Sequence, residues 1–182
     1  PTRVDDLGVD LMSIAGHKVY APKGIGALYL REGTPMDPVL RGAGHERGLR
    51  PGTENVASIV GLAQAAATAE THLIESQKRL AHLRDRLQTV LAQAIGERMG
   101  VHGLRSERLP NTLSVNFPGV SGEDLLRRFP ELCASTGAAC HSGTTHVSAT
   151  LAAMEVGADN ARGTIRLSLG RYTSEDDVER TA

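Results

Sequence analysis

A stripe of apolar residues at helical spacing is the feature that most constrains how this chain folds. Between Glu75 and Ile95, apolar residues recur every three or four positions: Leu80, Leu83, Leu87, Val90, Leu91 and Ala94. This spacing places them on one face of a long helix. A coiled coil would use such a stripe, but a run this short is more typical of a helix that packs on a sheet. We therefore expect the helix to cover the core of a domain.

Short segments on both sides of this helix predict the strands of that sheet. Polar and apolar residues alternate at Leu113–Phe117 and again over Thr164–Leu169, which is typical of half-buried strands. The apolar runs Val9–Met12 and Ile25–Leu30 predict two further strands nearer the start of the chain. Strands that alternate with helices indicate an α/β fold.

Further local signals complete the predicted secondary structure. Glu54–Glu70 is rich in alanine and predicts a helix, whereas Leu132–Ser135 predicts a short strand. Val147–Val156 predicts a helix that Gly157 ends. Ser174 is followed by three acidic residues, a pattern that predicts a capping box at the start of a last helix.

Size, charge and cysteine content limit the class of protein. The chain has 182 residues and a formal net charge of -1, so it lacks the basic excess of nucleic-acid binders. Its two cysteines cannot form a disulfide framework, which favours a reducing compartment and a cytoplasmic location. No apolar stretch reaches the length that crosses a membrane. A composition shift near residues 60–70 predicts two domains, 1–62 and 63–182.

Lys18, one of only three lysines, has an unusual setting. It follows His17 in a turn between two predicted strands, where a side chain can project into a site. A lysine amine held there can form a Schiff base with a carbonyl compound or with pyridoxal phosphate (PLP). An ordinary surface lysine would give the same sequence signal, so the residues alone leave both interpretations open.

The two cysteines differ in their surroundings. Cys133 lies between apolar neighbours, which predicts a structural, buried thiol. Cys140 lies in a stretch of small and polar residues beside His141, where an accessible thiolate can act as a nucleophile. A metal site that combines both cysteines with His141 and His146 is an alternative, but this spacing matches no common zinc pattern and we expect no metal.

Two further side chains have the chemistry of an anion site. Thr53 lies where a loop meets a helix, so its hydroxyl and the nearby N–H groups suit a phosphate, or the hydroxyl simply caps the helix. Arg166 lies on an alternating strand, where its guanidinium can bind a carboxylate or remain an ordinary surface charge. Neither residue identifies a ligand by itself.

Together, these residues lie in segments whose order and spacing resemble the cysteine desulfurases and selenocysteine lyases, PLP-dependent enzymes related to class-V aminotransferases. The segments are Ser13–Leu28, Glu46–Asn55, Leu109–Ser114, Thr136–Ser142 and Ile165–Arg171. The resemblance covers nearly the whole chain. It implies the aspartate-aminotransferase-like fold of type I, here the C-terminal part of the large PLP-binding domain followed by a small α/β domain that is truncated at its end.

The resemblance also implies a role for each candidate residue. Lys18 would bind PLP covalently and later move the α-proton of the substrate, while His17 would help to hold the cofactor phosphate. Thr53 would reach the phosphate of the other subunit, which implies a homodimer. Arg166 would bind the substrate carboxylate. Cys140 would attack the substrate sulfur and keep it as a persulfide, so that L-alanine is released.

The chain departs from the family pattern at several positions. Ala15 stands where many relatives have a serine that binds phosphate, Ala21 stands where glycine is usual, and Gly42–His45 replaces a Gly-Gly-Gly-Gln run. Ala15 and the stretch around Cys140 are closer to the selenocysteine lyases. In the family, two PLP-binding residues precede the lysine: an aspartate that pairs with the pyridine nitrogen and a residue that stacks on the PLP ring. Both lie further before the lysine than the 17 residues that precede Lys18 in this sequence. We therefore expect a C-terminal half that is inactive alone.

Several functions are consistent with these residues. The first is a cysteine desulfurase that takes sulfur from L-cysteine, an amino-acid substrate, and passes it to an acceptor protein. The second is a selenocysteine lyase or another class-V enzyme, such as an aminotransferase. The third, least favoured by the series of segments, is a non-catalytic module that uses the stretch around Cys140 to bind a metal or a partner.

Overall fold

A computed structural model describes residues 2–136 and 148–182 and divides the chain into two compact units, Pro1–Leu73 and Ile74–Ala182. Both units combine helices with antiparallel strands, which confirms a mixed α/β fold. The predicted domain boundary between residues 62 and 63 lies within the helix Val56–Thr71, whereas the two compact units divide between Leu73 and Ile74, and the predicted domain assignment stays a prediction. Within the described ranges, no helix is both long and apolar enough to cross a membrane.

The first unit is built from a hairpin and one long helix. Its elements are α1 (Val4–Leu7), β1 (Leu11–Ala15), a 3₁₀ helix (Gly16–Val19), β2 (Gly26–Leu30), a second 3₁₀ helix (Glu46–Gly48) and α2 (Val56–Thr71). β1 pairs antiparallel with β2, with Leu11 opposite Leu30 and Ala15 opposite Gly26. The two strands predicted here are therefore confirmed, although β1 begins two residues later than predicted.

This first unit buries little apolar surface. Its buried apolar residues, among those the structure describes, are Ala21 and Ala65. Val56 and Val60 of α2 stay 65% and 61% exposed. The hairpin and α2 line an apolar trough of about 520 Å³. A helix with apolar residues around its whole circumference is normally buried, so this unit carries apolar surface without a core of its own.

The second unit contains a three-stranded antiparallel sheet in the order β3-β4-β5. Its elements are α3 (Leu73–Ile95), a 3₁₀ helix (Gly96–Arg98), β3 (Gly100–Val101), β4 (Thr112–Asn116), α4 (Gly122–Arg128), α5 (Ala149–Ala153), α6 (Ala158–Arg162), β5 (Thr164–Ser168) and α7 (Glu175–Thr181). β4 is the central strand, and Ser114 on it lies opposite Arg166 on β5.

Helix α3 packs its apolar stripe against this sheet, as its spacing predicts. The core comprises residues of α3, β4, β5 and α7, together with Leu169: Leu83, Leu87, Leu91, Leu113, Val115, Ile165, Leu167, Leu169 and Val178. Fully burying a side chain of this size contributes about 1.5–3 kcal/mol to the free energy of unfolding. Apolar burial therefore concentrates in the second unit.

Two predicted elements differ from the structure. Of the predicted strand Leu132–Ser135, only Ser135 pairs, in an isolated bridge with Arg166. The helix predicted to end at Gly157 is only α5, because Glu155 already has a left-handed backbone with a φ of 57°. Gly157 instead precedes α6 as its N-cap. Position 147 of that predicted helix lies outside the described residues.

The predicted capping box at Ser174 is confirmed. The Asp177 N–H donates to Ser174 Oγ at 3.1 Å, and the Ser174 N–H donates to Asp177 Oδ2 at 2.9 Å. These contacts satisfy N–H groups that have no partner inside the first turn of α7. The hydrogen bonds from the backbone and hydroxyl of Ser174 also hold the pKa of Asp177 below its ordinary value.

Candidate active site

Lys18 lies on the 3₁₀ helix that joins β1 to β2. The Gly16 N–H donates to the carbonyl oxygen of Ile25 at 3.0 Å, and the Ala21 N–H donates to that of Gly16 at 3.1 Å. A Cβ at Gly16 would lie 2.7 Å from the Ile25 oxygen, so only glycine fits this close approach. The backbone is therefore held by the hairpin while Lys18 stays exposed. This places Lys18 in a turn between strands, as expected, and its role in binding PLP stays a prediction.

His17 precedes Lys18 on the same 3₁₀ helix and is also exposed. Such a helix has three residues per turn, so neighbouring side chains project roughly 120° apart. Tyr20 then ends the helix with a left-handed backbone, at a φ of 67°. The side chains of His17 and Lys18 therefore leave the helix in different directions, and the role of His17 in holding a phosphate stays a prediction.

Thr53 lies in the segment between the second 3₁₀ helix and α2, and it is exposed. The N-cap of α2 is Asn55, whose Oδ1 accepts a hydrogen bond from the Ser58 N–H at 3.2 Å. The simple capping role considered for Thr53 is therefore wrong, because Asn55 occupies that position. Phosphate binding by Thr53 remains a prediction.

Arg166 is held on both sides of its main chain. It lies opposite Ser114 on β4, and on its other side it exchanges two backbone hydrogen bonds with Ser135. Its side chain is half-buried on the edge strand of the sheet. Partial burial reduces the screening of a guanidinium by water and strengthens a bidentate contact with a carboxylate. This setting suits the predicted role in binding a substrate carboxylate.

Cys140, the predicted nucleophile, lies outside the described residues, as do His141 and His146. Cys133 is exposed, so its predicted burial is wrong. The reason is local, because the strand predicted around Cys133 forms only the single bridge at Ser135. Among the side chains that the structure describes, no group of three or more His, Cys, Asp and Glu residues could hold a metal ion.

His102 is a half-buried histidine that sequence patterns did not indicate. Its Nε2 lies 3.0 Å from Thr164 Oγ1, and that hydroxyl donates its proton to the carbonyl oxygen of Asn160 at 2.8 Å. A hydroxyl has a single proton, so Nε2 of His102 must be the donor in the first contact. Desolvation by burial lowers the pKa of His102, which favours the neutral ring with its proton on Nε2.

Arg79 on α3 is a second residue without any sequence signal. Its guanidinium donates to three main-chain oxygens, at 2.8 Å to Thr173, 3.3 Å to Gly170 and 2.7 Å to Arg171. The Gly170 N–H in turn donates to Thr173 Oγ1 at 2.9 Å. Arg79 therefore holds the turn that follows the strand carrying the candidate carboxylate-binding arginine.

Asn111 also contacts the end of this strand. Its carbonyl oxygen accepts from the Leu169 N–H at 2.8 Å, and its Nδ2 donates to the carbonyl oxygen of Leu169 at 3.3 Å. Its presence in the segment Leu109–Ser114 was the one available sequence signal. The amide side chain extends the pairing of β4 and β5 by one residue.

The donor groups of the first unit fit PLP by their chemistry. Lys18 supplies the amine that reacts with an aldehyde, while His17 and Thr53 supply an imidazole and a hydroxyl that suit a phosphate. All three side chains are exposed. Ala15 stands in β1 without a hydroxyl, so this set has one phosphate ligand fewer than the family pattern.

Known proteins with similar sequences match along the whole chain. A cysteine desulfurase IscS of Dictyoglomus turgidum is 41% identical over 183 residues, which cover 100% of this chain and 46% of that protein. A cysteine desulfurase of Gluconacetobacter diazotrophicus is 45% identical, covering 94% of this chain and 43% of that protein. The cysteine desulfurase NifS of Azotobacter vinelandii is 40% identical, covering 99% of this chain and 45% of that protein. The chain thus spans about half the length of these relatives.

Solved structures with the same fold lead to the same group. A NifS-like protein from Rickettsia africae superposes with a TM-score of 0.88 at 28% identity, covering 100% of this chain and 48% of that chain. A second NifS-like protein has a TM-score of 0.84 at 37% identity, covering 99% of this chain and 46% of that chain. The family model described as aminotransferase class-V matches residues 1–181. The chain therefore belongs to the class-V aminotransferase family.

Proposed function

We propose that this chain is part of a PLP-dependent cysteine desulfurase. The observation that carries the proposal is the identity of 40–45% with cysteine desulfurases over 94–100% of the chain. The matched region includes Lys18 in its hairpin and Arg166 on its strand. These two positions supply the amine and the carboxylate-binding group that chemistry on an α-amino acid requires.

Each candidate residue has a distinct task in this proposal. Lys18 anchors PLP through its amine and moves the α-proton of the substrate, while His17 and Thr53 hold the phosphate. Arg166 binds the substrate carboxylate and fixes the amino acid for attack. PLP, when bound, supplies an electron sink for negative charge on the substrate carbon atoms.

Cys140 performs the sulfur transfer. Its thiolate attacks the sulfur of L-cysteine, so a new S–S bond forms while the bond between Cβ and sulfur breaks. The electron pair of the broken bond stays with the substrate carbon, which takes up a proton as alanine forms. The enzyme keeps the sulfur as a persulfide on Cys140, and a thiol acceptor releases it.

The finer features of the protein follow from the same proposal. They comprise a type I fold with residues 1–62 as the C-terminal part of the large PLP-binding domain and residues 63–182 as the small domain. The protein forms a homodimer in which Thr53 binds the phosphate of the PLP held by the other subunit. It passes sulfur to an acceptor protein and is located in the cytoplasm. The C-terminal placement of this chain within its relatives is likewise a prediction.

The two cysteines give a matched test of the proposal. The whole protein that contains this chain is incubated with PLP, L-cysteine and a thiol reductant, and alanine and sulfide are both measured. Cys140→Ala should abolish both products, while Cys133→Ala should leave them unchanged because Cys133 is exposed and has no assigned task. Turnover by Cys140→Ala at the wild-type rate would contradict the role of Cys140.

Other outcomes identify the alternatives. Release of selenide from L-selenocysteine with negligible turnover of L-cysteine would favour a selenocysteine lyase. Alanine at position 15 is closer to the sequence pattern of that group. Amino transfer to a keto acid without sulfide would favour an aminotransferase of the same family. Borohydride trapping of bound PLP followed by peptide mapping locates the lysine, and Lys23 and Lys78 serve as internal controls for Lys18.

A further inference from the structure

The residues before Thr53 form a compact loop, which we call the 42–52 loop after its first and last residues. A Cβ added at Gly42 would lie only 2.9 Å from the Pro51 Cβ, so the two ends of the loop are in contact. The second 3₁₀ helix lies within the loop, and the Leu49 N–H donates to the carbonyl oxygen of Glu46 at 3.1 Å. The loop therefore has a defined shape rather than an extended path.

The 42–52 loop contains strained backbone. Glu46, Arg47 and Gly48 are consecutive residues with φ values of 48°, 59° and 81°. Glycine accepts such values readily, but the Cβ atoms of Glu46 and Arg47 make them costly. Strain of this kind persists only where surrounding contacts determine the conformation, and it concentrates at ligand-binding sites.

Arg50 connects this strained turn to the peptide that precedes Thr53. Its Nη2 lies 3.3 Å from Glu46 Oε1, and its Nη1 donates to the carbonyl oxygens of Pro51 at 3.2 Å and Gly52 at 2.9 Å. The carbonyl group of Gly52 belongs to the peptide bond that it shares with Thr53. One guanidinium thus fixes the orientation of that peptide relative to Glu46.

We infer that Arg50 is a positioning residue for Thr53. By holding the Gly52 carbonyl, Arg50 restricts the rotation of the peptide bond into Thr53 and so sets the direction of the Thr53 hydroxyl. This inference rests on the proposed function, in which that hydroxyl binds the phosphate of PLP. Arg50 acts through Gly52 and needs no contact with the cofactor.

A merely structural role for Arg50 gives a different expectation. The ion pair of Arg50 and Glu46 is exposed, and exposed pairs contribute little to the free energy of unfolding. If Arg50 served only to stabilise the fold, its removal would lower the stability of the protein without cofactor and leave the affinity for PLP unchanged. A positioning role would change the affinity for PLP while leaving that stability nearly unaltered.

The test compares variants of the whole protein by titration with PLP, followed by the absorbance of the bound cofactor. Arg50→Met should raise the Kd for PLP about tenfold, the scale of a lost charge-assisted contact. Arg50→Lys, which keeps the charge but not the fork of donors, should give a smaller increase. Arg41→Met is the matched control, because Arg41 is an exposed arginine directly before the 42–52 loop, and it should bind like the wild type.

A double variant shows whether Arg50 acts through Thr53. Thr53→Val removes the hydroxyl at nearly constant volume. If Arg50 works only by orienting this hydroxyl, Arg50→Met in the Thr53→Val background should cause no further rise in Kd. Additive effects of the two substitutions on the Kd would overturn the inference. An unchanged affinity of Arg50→Met for PLP would also overturn it. So would a fall in the Tm of cofactor-free Arg50→Met that is large enough to account for the lost binding. A wild-type protein that binds no PLP would contradict the proposed function itself and, with it, the inference.

Discussion

Ser135 and Arg166 exchange both of their backbone hydrogen bonds. The Arg166 N–H donates to the carbonyl oxygen of Ser135 at 2.6 Å, and the Ser135 N–H donates to that of Arg166 at 3.2 Å. Arg166 lies on the edge strand β5, and Ser135 shortly precedes the stretch that contains Cys140. The residue proposed to bind the substrate carboxylate is therefore tied to the segment that leads to the proposed nucleophile.

Removing one of these two hydrogen bonds should impair catalysis. Ser135→Pro lacks the N–H that donates to Arg166. We expect the turnover of L-cysteine to fall between about 10- and 100-fold, because small misplacements of reacting groups slow catalysis by this much. Ser135→Ala keeps the N–H and is the control, whose turnover should fall less than that of Ser135→Pro. Steady-state release of alanine by the whole protein measures both, and equal rates for the two variants would show that the bridge has no role.

The core beneath α3 should be sensitive to truncation. Leu113 on the central strand β4 has an exposed fraction of 0%, so Leu113→Ala should lower the free energy of unfolding by about 2–5 kcal/mol. Leu104 is 59% exposed, and Leu104→Ala should change the free energy of unfolding by less than about 0.5 kcal/mol. Urea denaturation compares the two variants, and similar midpoints would argue against the core described for the second unit.

The burial of His102 should make the free energy of unfolding depend on pH. Burial lowers the pKa of His102 in the folded state, so the unfolded chain takes up the proton first as the pH falls. The contribution of neutral His102 is thus present above about pH 6.5, the ordinary value for histidine, and is lost as the pH falls toward the lower folded value.

Two glutamine variants test this dependence. His102→Gln keeps an N–H donor near Thr164 but does not titrate, so its free energy of unfolding should decline less than that of the wild type between about pH 8 and pH 5. His82 is exposed on α3, and His82→Gln should follow the wild-type curve. A His102→Gln curve parallel to the wild type would contradict the assigned burial.

The contact of Arg79 with its turn should protect a protease site. Arg79→Met removes the donors to the carbonyl oxygens of Gly170, Arg171 and Thr173, so the turn should open and trypsin should cleave after Arg171 several-fold faster. Arg86 lies on the same helix but pairs with Glu179 at the surface, so Arg86→Met should not accelerate this cleavage. Peptide mass mapping over time gives both rates, and equal rates would remove the role assigned to Arg79.

The sequence predicts the periodic elements well because their signal is local. The apolar spacing of α3 and the alternation around Leu113 and Ile165 report directly which side of an element faces the core. The capping box of Ser174 is equally local, since both partners lie within one turn. The segment Leu132–Ser135 shows the limit, because its composition suits a strand while only one residue finds a partner.

The sequence names the candidate residues of the site, whose roles stay predictions, but not the contacts that support them. Lys18 is conspicuous because lysine is rare in this chain and because two strands flank its turn. Arg79 gives no such signal and Arg50 gives only its place in the segment Glu46–Asn55, since both donate to main-chain carbonyl oxygens, which every residue possesses. For Arg79 the acceptors lie more than 90 positions away along the chain, so only the folded structure brings them together.

The uneven distribution of apolar burial has a consequence for the order of synthesis. A ribosome releases residues 1–73 before residues 74–182, yet the earlier unit has only Ala21 and Ala65 as buried apolar residues among those described. We expect the emerging hairpin to stay loosely ordered and attractive to chaperones until burial against other polypeptide becomes available. The geometry around Lys18 would then depend on polypeptide outside its own unit, whereas the strand that carries Arg166 is enclosed by the core of the second unit.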